Sequence, residues 1–350
     1  YYDDAEIFQL PAKEFINSFT KNKKLQAVLA GSNYLYAGDK NRTPFFVHAL
    51  STNSYIQSSY RCLNGGSQIT KVLIKRLREQ GGDCYKRHEV SKFNFDDGKI
   101  SSVTTTNGIE IKGDLFISNI EPKLTIKMVG EDKFRKSYTN RIDKIESTIA
   151  AFTLYLVLKP NSFKYQNKNF YHFKDPDKVW DSHDYTQESW PEGYMMSMGI
   201  KKNSNGYGDS IAVMTYMRYD EVEPWADSFN TVANKNERGQ TYEQFKTEKA
   251  EVLIDELEKK FPNIRDCIEA YYTSSPLSYR DYIGSNRGSM YAYVKDVNKP
   301  LHSHVSPKTK IKNLFFTGQS LNMHGILGVT ISAIITCSEI LGKDYLLDKI

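Results

Sequence analysis

Four cysteines are scattered over 350 residues, at Cys62, Cys84, Cys267 and Cys337, with no C-x-x-C pair. That pattern reads as reduced, buried thiols in a cytoplasmic protein, not as a disulfide framework. No apolar run reaches the roughly eighteen residues that a membrane-spanning helix needs. The chain opens on YYDDAEIFQL, with neither methionine nor signal peptide. No G-x-S-x-G elbow is present, which argues against a hydrolase. No basic stripe is interleaved with exposed aromatics, so a nucleic-acid partner is not expected. Internal repeats and low-complexity linkers are missing too. The dinucleotide fingerprint G-x-G-x-x-G is incomplete: GYGDSI at 206–211 lacks the third glycine.

What remains is an ordinary globular composition, 39% hydrophobic and 25% charged, with a formal charge of +5. The length suits two domains and a sizeable core. A mild positive surplus is compatible with an anionic cofactor or a membrane surface without requiring either.

The first sixty residues read as helical, with a break near the lysines at 21–24 and a stop at Gly31. Gly65 and Gly66 precede a helix with Ser67 as N-cap, an apolar face at Ile69, Val72, Leu73 and Leu77, and a stop at Gly81-Gly82. From Cys84 the pattern turns to strands. Asp97-Gly98 and Asn107-Gly108 punctuate a three-stranded meander, as type I′ turns would. DLFISN then reads as a buried strand leaving it. Further on, TIAAFTLYLVL, YMMSMGI and SIAVMTYMRY are strand candidates. A long helix is expected at 241–261, with Thr241 and Gln244 as a capping box and Phe245, Val252, Leu253, Leu257 and Phe261 along one side.

The stretch NLFFTGQSLNMHGILGV (313–329) carries the most chemistry. It reads as a buried strand ending at Gly318, a loop with His324, and the glycines Gly325 and Gly328 opening an apolar helix that ends at Gly342. Strand, glycine turn and helix deliver backbone amides and a partial positive charge to an electron-rich group. A flavin ring edge is one such group; a helix start that simply needs a tight turn is the alternative. Ser332 and Ala333 are small residues on that helix.

These blocks resemble the phytoene desaturase, carotenoid isomerase and retinol saturase-like flavoproteins of the amine oxidase superfamily. The closing segment is similar to their C-terminal FAD-binding strand and helix. LNGGSQITKVLIKRLREQGGDCYKRHEVSKF is similar to their second FAD-domain block. GDLFISNIEPKLTIKMVG and SSPLSYRDYIGSNRGSMYAY look like two further elements of that family. The resemblance implies a mixed α/β FAD/NAD(P)-binding fold without its N-terminal Rossmann half, joined to a substrate domain with a mixed or antiparallel sheet. The expected division is 1–60 a helical cap, 61–130 the second part of the FAD domain, 131–305 the substrate domain, and 306–350 the closing FAD-binding strand and helix.

By the same resemblance FAD is the cofactor. Val90 would meet the adenine by its backbone, and Gly318 and Gln319 the pyrophosphate and ribityl chain. Gly325, Ile326, Leu327 and Gly328 would lie against the flavin ring, while Gly65 and Gly66 would permit close approach. Gln319 stands where many relatives carry an acid. His324 faces the substrate as a catalytic residue or satisfies a backbone carbonyl as a buried histidine. The implied chemistry is saturation, desaturation or isomerisation of a long apolar polyene, with NAD(P)H or a quinone as candidate redox partner and a peripheral membrane contact helping the substrate leave the bilayer. An amine-oxidase-like enzyme with a polar substrate and a non-catalytic lipid- or partner-binding module are the rival readings. His302 and His304 form an H-x-H pair without nearby ligands, and no metal is expected. Tyr279-Arg280-Asp281 reads as a local ion pair, and the excess of Tyr, Phe and Met as an apolar tunnel or aromatic core.

Overall fold

The computed structural model describes residues 6–349. Its strands fall into three sheets. The antiparallel meander comprises β1 (Val90–Asp96), β2 (Lys99–Thr105) and β3 (Glu110–Lys112). Asp97 and Gly98 both take positive φ, +42° and +73°, as a type I′ turn requires. At the second turn only Gly108 does, at +80°. There the Gly108 amide donates to the Thr105 carbonyl at 2.9 Å. Strand β1 begins at Val90, so Cys84–Glu89 lies outside it.

A parallel pair follows, β4 (Phe116–Ser118) beside β10 (Leu314–Phe316). The expectation of a buried β4 does not hold, because Ile117 is exposed. The open face is confined to β4, since Leu314, Phe315 and Phe316 of β10 are all buried. Asn313 ties this ribbon to the meander. Its side chain accepts from the Ile100 amide at 3.1 Å and donates to the Ile100 carbonyl at 2.8 Å, completing β2 as a neighbouring strand would.

The remaining strands, β5 (Ala150–Leu158), β6 (Phe170–Phe173), β7 (Gly193–Gly199), β8 (Ser210–Met217) and β9 (Ile268–Ser274), form an antiparallel sheet in the order β6-β7-β8-β5-β9. Alternation divides β5 between two cores. Phe152, Leu154 and Leu156 point to the helix Gln240–Glu258, meeting Leu253, Ile254 and Leu257. Ala151 points the other way, toward Tyr34, Tyr216 and Met290. The helical N-terminal segment covers that second face, with Ala12, Ile16, Ala30 and Val47 packing on Trp180. The expected break is present: helix Ala12–Phe19 ends at Thr20, and Asn22 caps helix Lys23–Ala30 by accepting from the Leu25 amide.

Two N-caps differ from expectation. Ser67 is the first residue of helix Ser67–Glu79, and Gly66 holds the cap position without a side-chain bond. The long helix starts after Gly239, and Thr241 instead accepts from the Trp225 indole at 3.2 Å. Val252 lies outside, and Ala250 and Ile254 take the buried face with Leu253 and Leu257. The apolar face of Ser67–Glu79 is not covered, and Val72 and Leu73 are 66% and 64% exposed. Helix Gly325–Leu341, with 17 residues, is about 25 Å long at 1.5 Å per residue. Among the described residues no helix is long and apolar enough to cross a membrane.

Candidate cofactor and substrate site

The site begins where β10 stops. Gly318 has φ +96°, and a Cβ there would stand 2.0 Å from the Asn119 side-chain oxygen, so only glycine fits. Ser332 reaches back from the closing helix and satisfies both backbone groups of Gly318. Its hydroxyl accepts from the amide at 3.0 Å and donates to the carbonyl at 2.9 Å. Thr336 donates to the Phe316 carbonyl at 2.9 Å. The polar residues of this helix therefore lock it to the strand end, which explains why Ser332 and Thr336 are fully buried. Gln319 makes no side-chain hydrogen bond among the described residues.

His324 is the N-cap of the closing helix, yet its imidazole does not cap it. The ring turns away and stacks on Tyr291, with centroids 4.1 Å apart. Its Nε2 lies 2.7 Å from the Leu35 carbonyl. A carbonyl only accepts, so Nε2 carries the proton. Burial lowers the His324 pKa, with the nearby Lys295 charge adding to it against the Leu35 bond, and the ring is neutral. The first-turn amides of Gly325–Leu327 are left without a side-chain partner.

The two helix glycines differ. A Cβ at Gly325, where φ is +76°, would meet nothing within 4 Å. One at Gly328 would stand 2.6 Å from the Met323 backbone, so Gly328 is explained by packing within the chain. Ile326 and Leu327 are 68% and 57% exposed on the same end of the helix. Uncapped donors, an open flank at Gly325 and apolar side chains beside it fit the electron-rich edge of a planar ring.

His324 also lines a cavity of about 220 Å³. Its walls come from the N-terminal helical segment (Tyr36, Arg42, Val47), the sheet and the residue that leads into it (Tyr216, Ile149) and the irregular run before the closing segment (Tyr291, Tyr293, Lys295). Most of its polar groups are paired. Arg42 bonds Asp39 at 3.3 Å and Glu146 at 2.7 Å. The Tyr291 hydroxyl donates to the Tyr34 carbonyl at 2.9 Å. Tyr36 bonds His48 at 2.8 Å. Three groups are unpaired among the described residues. Half-buried Lys295 has no ion pair or hydrogen bond, and the buried hydroxyls of Tyr216 and Tyr293 have no partner. Burial pushes Lys295 down to about 8 and Tyr216 well above the ordinary phenol range.

The structure thus groups Gly318, Gln319, His324 and Gly325–Gly328. Among the described residues no hydrogen bond joins Gly65, Gly66 or Val90 to them. Asn64, next to the glycine pair, is anchored elsewhere: its amide donates to the Ile200 carbonyl at 3.0 Å, and its side chain accepts from the Lys202 amide at 3.1 Å. Gly65 and Gly66 have open space where a Cβ would stand. His302 and His304 present their carbonyls to Arg141 at 3.2 and 2.9 Å, a loop clamp. The ion pair expected at Tyr279-Arg280-Asp281 is part of a larger network. Buried Asp281 takes Arg280 at 2.7 Å, Arg238, and the Asn230 amide at 2.9 Å. Sequence reasoning missed Lys295, Tyr216, Tyr291 and Asn313. Only Tyr216 and Tyr291 had a signal, in the tyrosine-rich runs around them.

Comparison with solved structures defines the class of fold. An oxidoreductase from Methanosarcina mazei superposes with a TM-score of 0.60 at 12% identity, over 95% of this chain and 68% of that one. Putrescine oxidase superposes with a TM-score of 0.57 at 10% identity, over 98% of this chain and 68% of that one. The chain has the fold of the amine-oxidase-like oxidoreductases. Sequence places it more narrowly. All-trans-retinol 13,14-reductase of Rattus norvegicus is 24% identical over 358 aligned residues, covering 96% of this chain and 58% of the relative. Prolycopene isomerase of Daucus carota is 23% identical over 82% of this chain and 45% of its own length. In sequence the chain is similar to a retinol reductase and a carotenoid isomerase. It spans about half the length of these curated relatives. No protein-family model matches it.

Proposed function

We propose that this chain carries the substrate cavity and ring-facing helix of an FAD-dependent oxidoreductase that saturates, desaturates or isomerises a carotenoid- or retinoid-like polyene. The observation that carries the reading is the sharing of His324 between an aromatic-walled cavity and the uncapped start of the closing helix. The names of the relatives, a retinol reductase and a carotenoid isomerase, point to the substrate class.

Gly325, Ile326 and Leu327 would face the flavin ring, and Gly318 and Gln319 would lie beside its chain. When bound, the flavin supplies hydride transfer, the step no side chain here can perform. The protein's own contribution is placement. The helix amides stabilise negative charge at the ring edge. His324, held neutral and fixed by Leu35 and Tyr291, walls the passage between ring and cavity. Tyr36, Val47, Ile149 and Tyr291 give the substrate an apolar surface and exclude water. At about 220 Å³ the cavity holds one end of a polyene, with the remainder extending out of it.

A cationic amine substrate is disfavoured, because unpaired Lys295 places positive charge on the same wall. Expression of the complete reading frame and a visible spectrum test the cofactor: a flavin absorbance is expected, and a colourless protein that takes up no added FAD would end the proposal. Turnover of a polyene monitored by loss or shift of its absorbance tests the substrate class.

A further inference from the structure

Most charged groups at the cavity have partners, but one cation has none. Arg42 is held by Asp39 and Glu146, and His183 lies 3.7 Å from Asp39. Lys295 has neither a carboxylate nor a carbonyl within bonding distance among the described residues, although it lines the cavity. On the same cavity the buried Tyr216 hydroxyl lacks a partner. A polar group held away from water and left unmatched costs free energy, so Lys295 and the unpartnered hydroxyls of Tyr216 and Tyr293 around one cavity point to an acceptor supplied from outside.

We propose that the cavity binds the carboxylate end of an amphiphilic polyene, with Lys295 as the anchoring cation and the Tyr216 hydroxyl as a second donor. The proposal rests on the polyene reading above and deepens it. A hydrocarbon end leaves both donors unmatched, and an alcohol brings no charge to Lys295. A carboxylate brings a full negative charge and two oxygens, and charge-assisted bonds of this type are the stronger ones. The apolar walls formed by Tyr36, Val47 and Tyr291 then receive the first carbons of the chain. The anchor sets the distance between the polar end and the reacting double bond, because His324 stands between the cavity and the helix start. Lys295 is a specificity-determining residue in this account.

The test uses the flavin-loaded protein from the complete reading frame and three probes: an all-trans C20 polyenoic acid, the corresponding primary alcohol, and an acyclic polyene hydrocarbon. Dissociation constants are read from quenching of protein fluorescence. At pH 7 the acid is expected to bind tightest. Lys295→Met should weaken the acid about ten- to hundredfold, leave the hydrocarbon unchanged, and be rescued in part by Lys295→Arg. Tyr216→Phe should weaken the acid by a smaller factor. Equal binding of acid and hydrocarbon, or equal losses for both in Lys295→Met, overturns the anchor while leaving the polyene reading standing. Failure of all three probes to bind the folded, flavin-loaded protein removes the polyene reading and the anchor together. If Lys295→Met does not fold, a pH series on the unmodified protein decides. Acid affinity should fall as pH rises beyond about 8 and Lys295 loses its proton, while hydrocarbon affinity stays level. The charged and titratable groups that line the cavity with Lys295 are Asp39, Arg42, Glu146, His183, His324 and the tyrosines at 36, 216, 291 and 293. A flat acid profile overturns the proposal.

Discussion

An unpaired lysine kept for a ligand should burden the fold when the ligand is absent. Burial takes Lys295 from an ordinary 10.5 down to about 8. The unfolded chain therefore holds this proton more tightly than the folded chain does, a bias of about 3 kcal/mol. Below pH 8 the side chain is charged in both states, and the folded state bears the whole penalty. Between pH 8 and 10.5 the folded form is neutral while the unfolded form is still charged, so the unfolded state binds more protons and stability rises with pH. Above 10.5 both forms are neutral and the penalty is gone. Lys295→Met removes the charge and keeps a similar apolar length. Without ligand it should stabilise the protein by up to about 3 kcal/mol at pH 7, with a gain that shrinks steadily toward pH 10.5. Urea unfolding of both proteins at pH 7 and pH 10 checks this. A variant less stable than its parent at pH 7, or an advantage that is the same at both pH values, refutes the reasoning.

Three further expectations follow from packing. Gly328→Ala gains about 1 kcal/mol of helix propensity but drives a Cβ to 2.6 Å from the Met323 backbone, so the melting temperature should fall; Gly66→Ala, in open space with φ −67°, should leave it unchanged or slightly raised. Asn313→Ala removes the bonds to both backbone groups of Ile100 and should cost about 1–3 kcal/mol, with faster amide exchange at Ile100 as the local readout. Asp281→Ala leaves Arg238 and Arg280 without their shared carboxylate and should cost about 3–5 kcal/mol in urea unfolding.

Much of the architecture is visible in local sequence, and the reason is the range of the forces involved. The meander announces itself through Asp97-Gly98 and Asn107-Gly108, and β5, β7 and β8 through long β-prone runs. Strands β6 and β9 carry weaker signals. β6 has four residues, and β9 lies at the sheet edge; nearly every side chain in both is half-buried, so no alternation is imposed. Caps were misassigned at Ser67 and Thr241 because a glycine one or two positions earlier held the bend instead. The closing strand, turn and helix could be read directly, since glycine at 318 and 325 is demanded by positive φ within the segment itself. Lys295 could not be read. It sits in the unremarkable run YVKDVNK, and what buries it comes from residues near 36–48, 146–149, 183 and 216. Uncovered leucine and valine on Ser67–Glu79 show the converse: the face was legible, and nothing among the described residues covers it.

Asn313 and Ile100 are 213 positions apart, yet each needs the other to finish its strand. On a ribosome that emits residues from one end, β2 must wait with an unfinished edge until the 213 residues to Asn313 have emerged. Loop-closure entropy makes such late docking slow. A polypeptide that stopped before Leu314 would lack β10 and the helix that clamps it, and β4 would keep an open edge in place of its parallel neighbour.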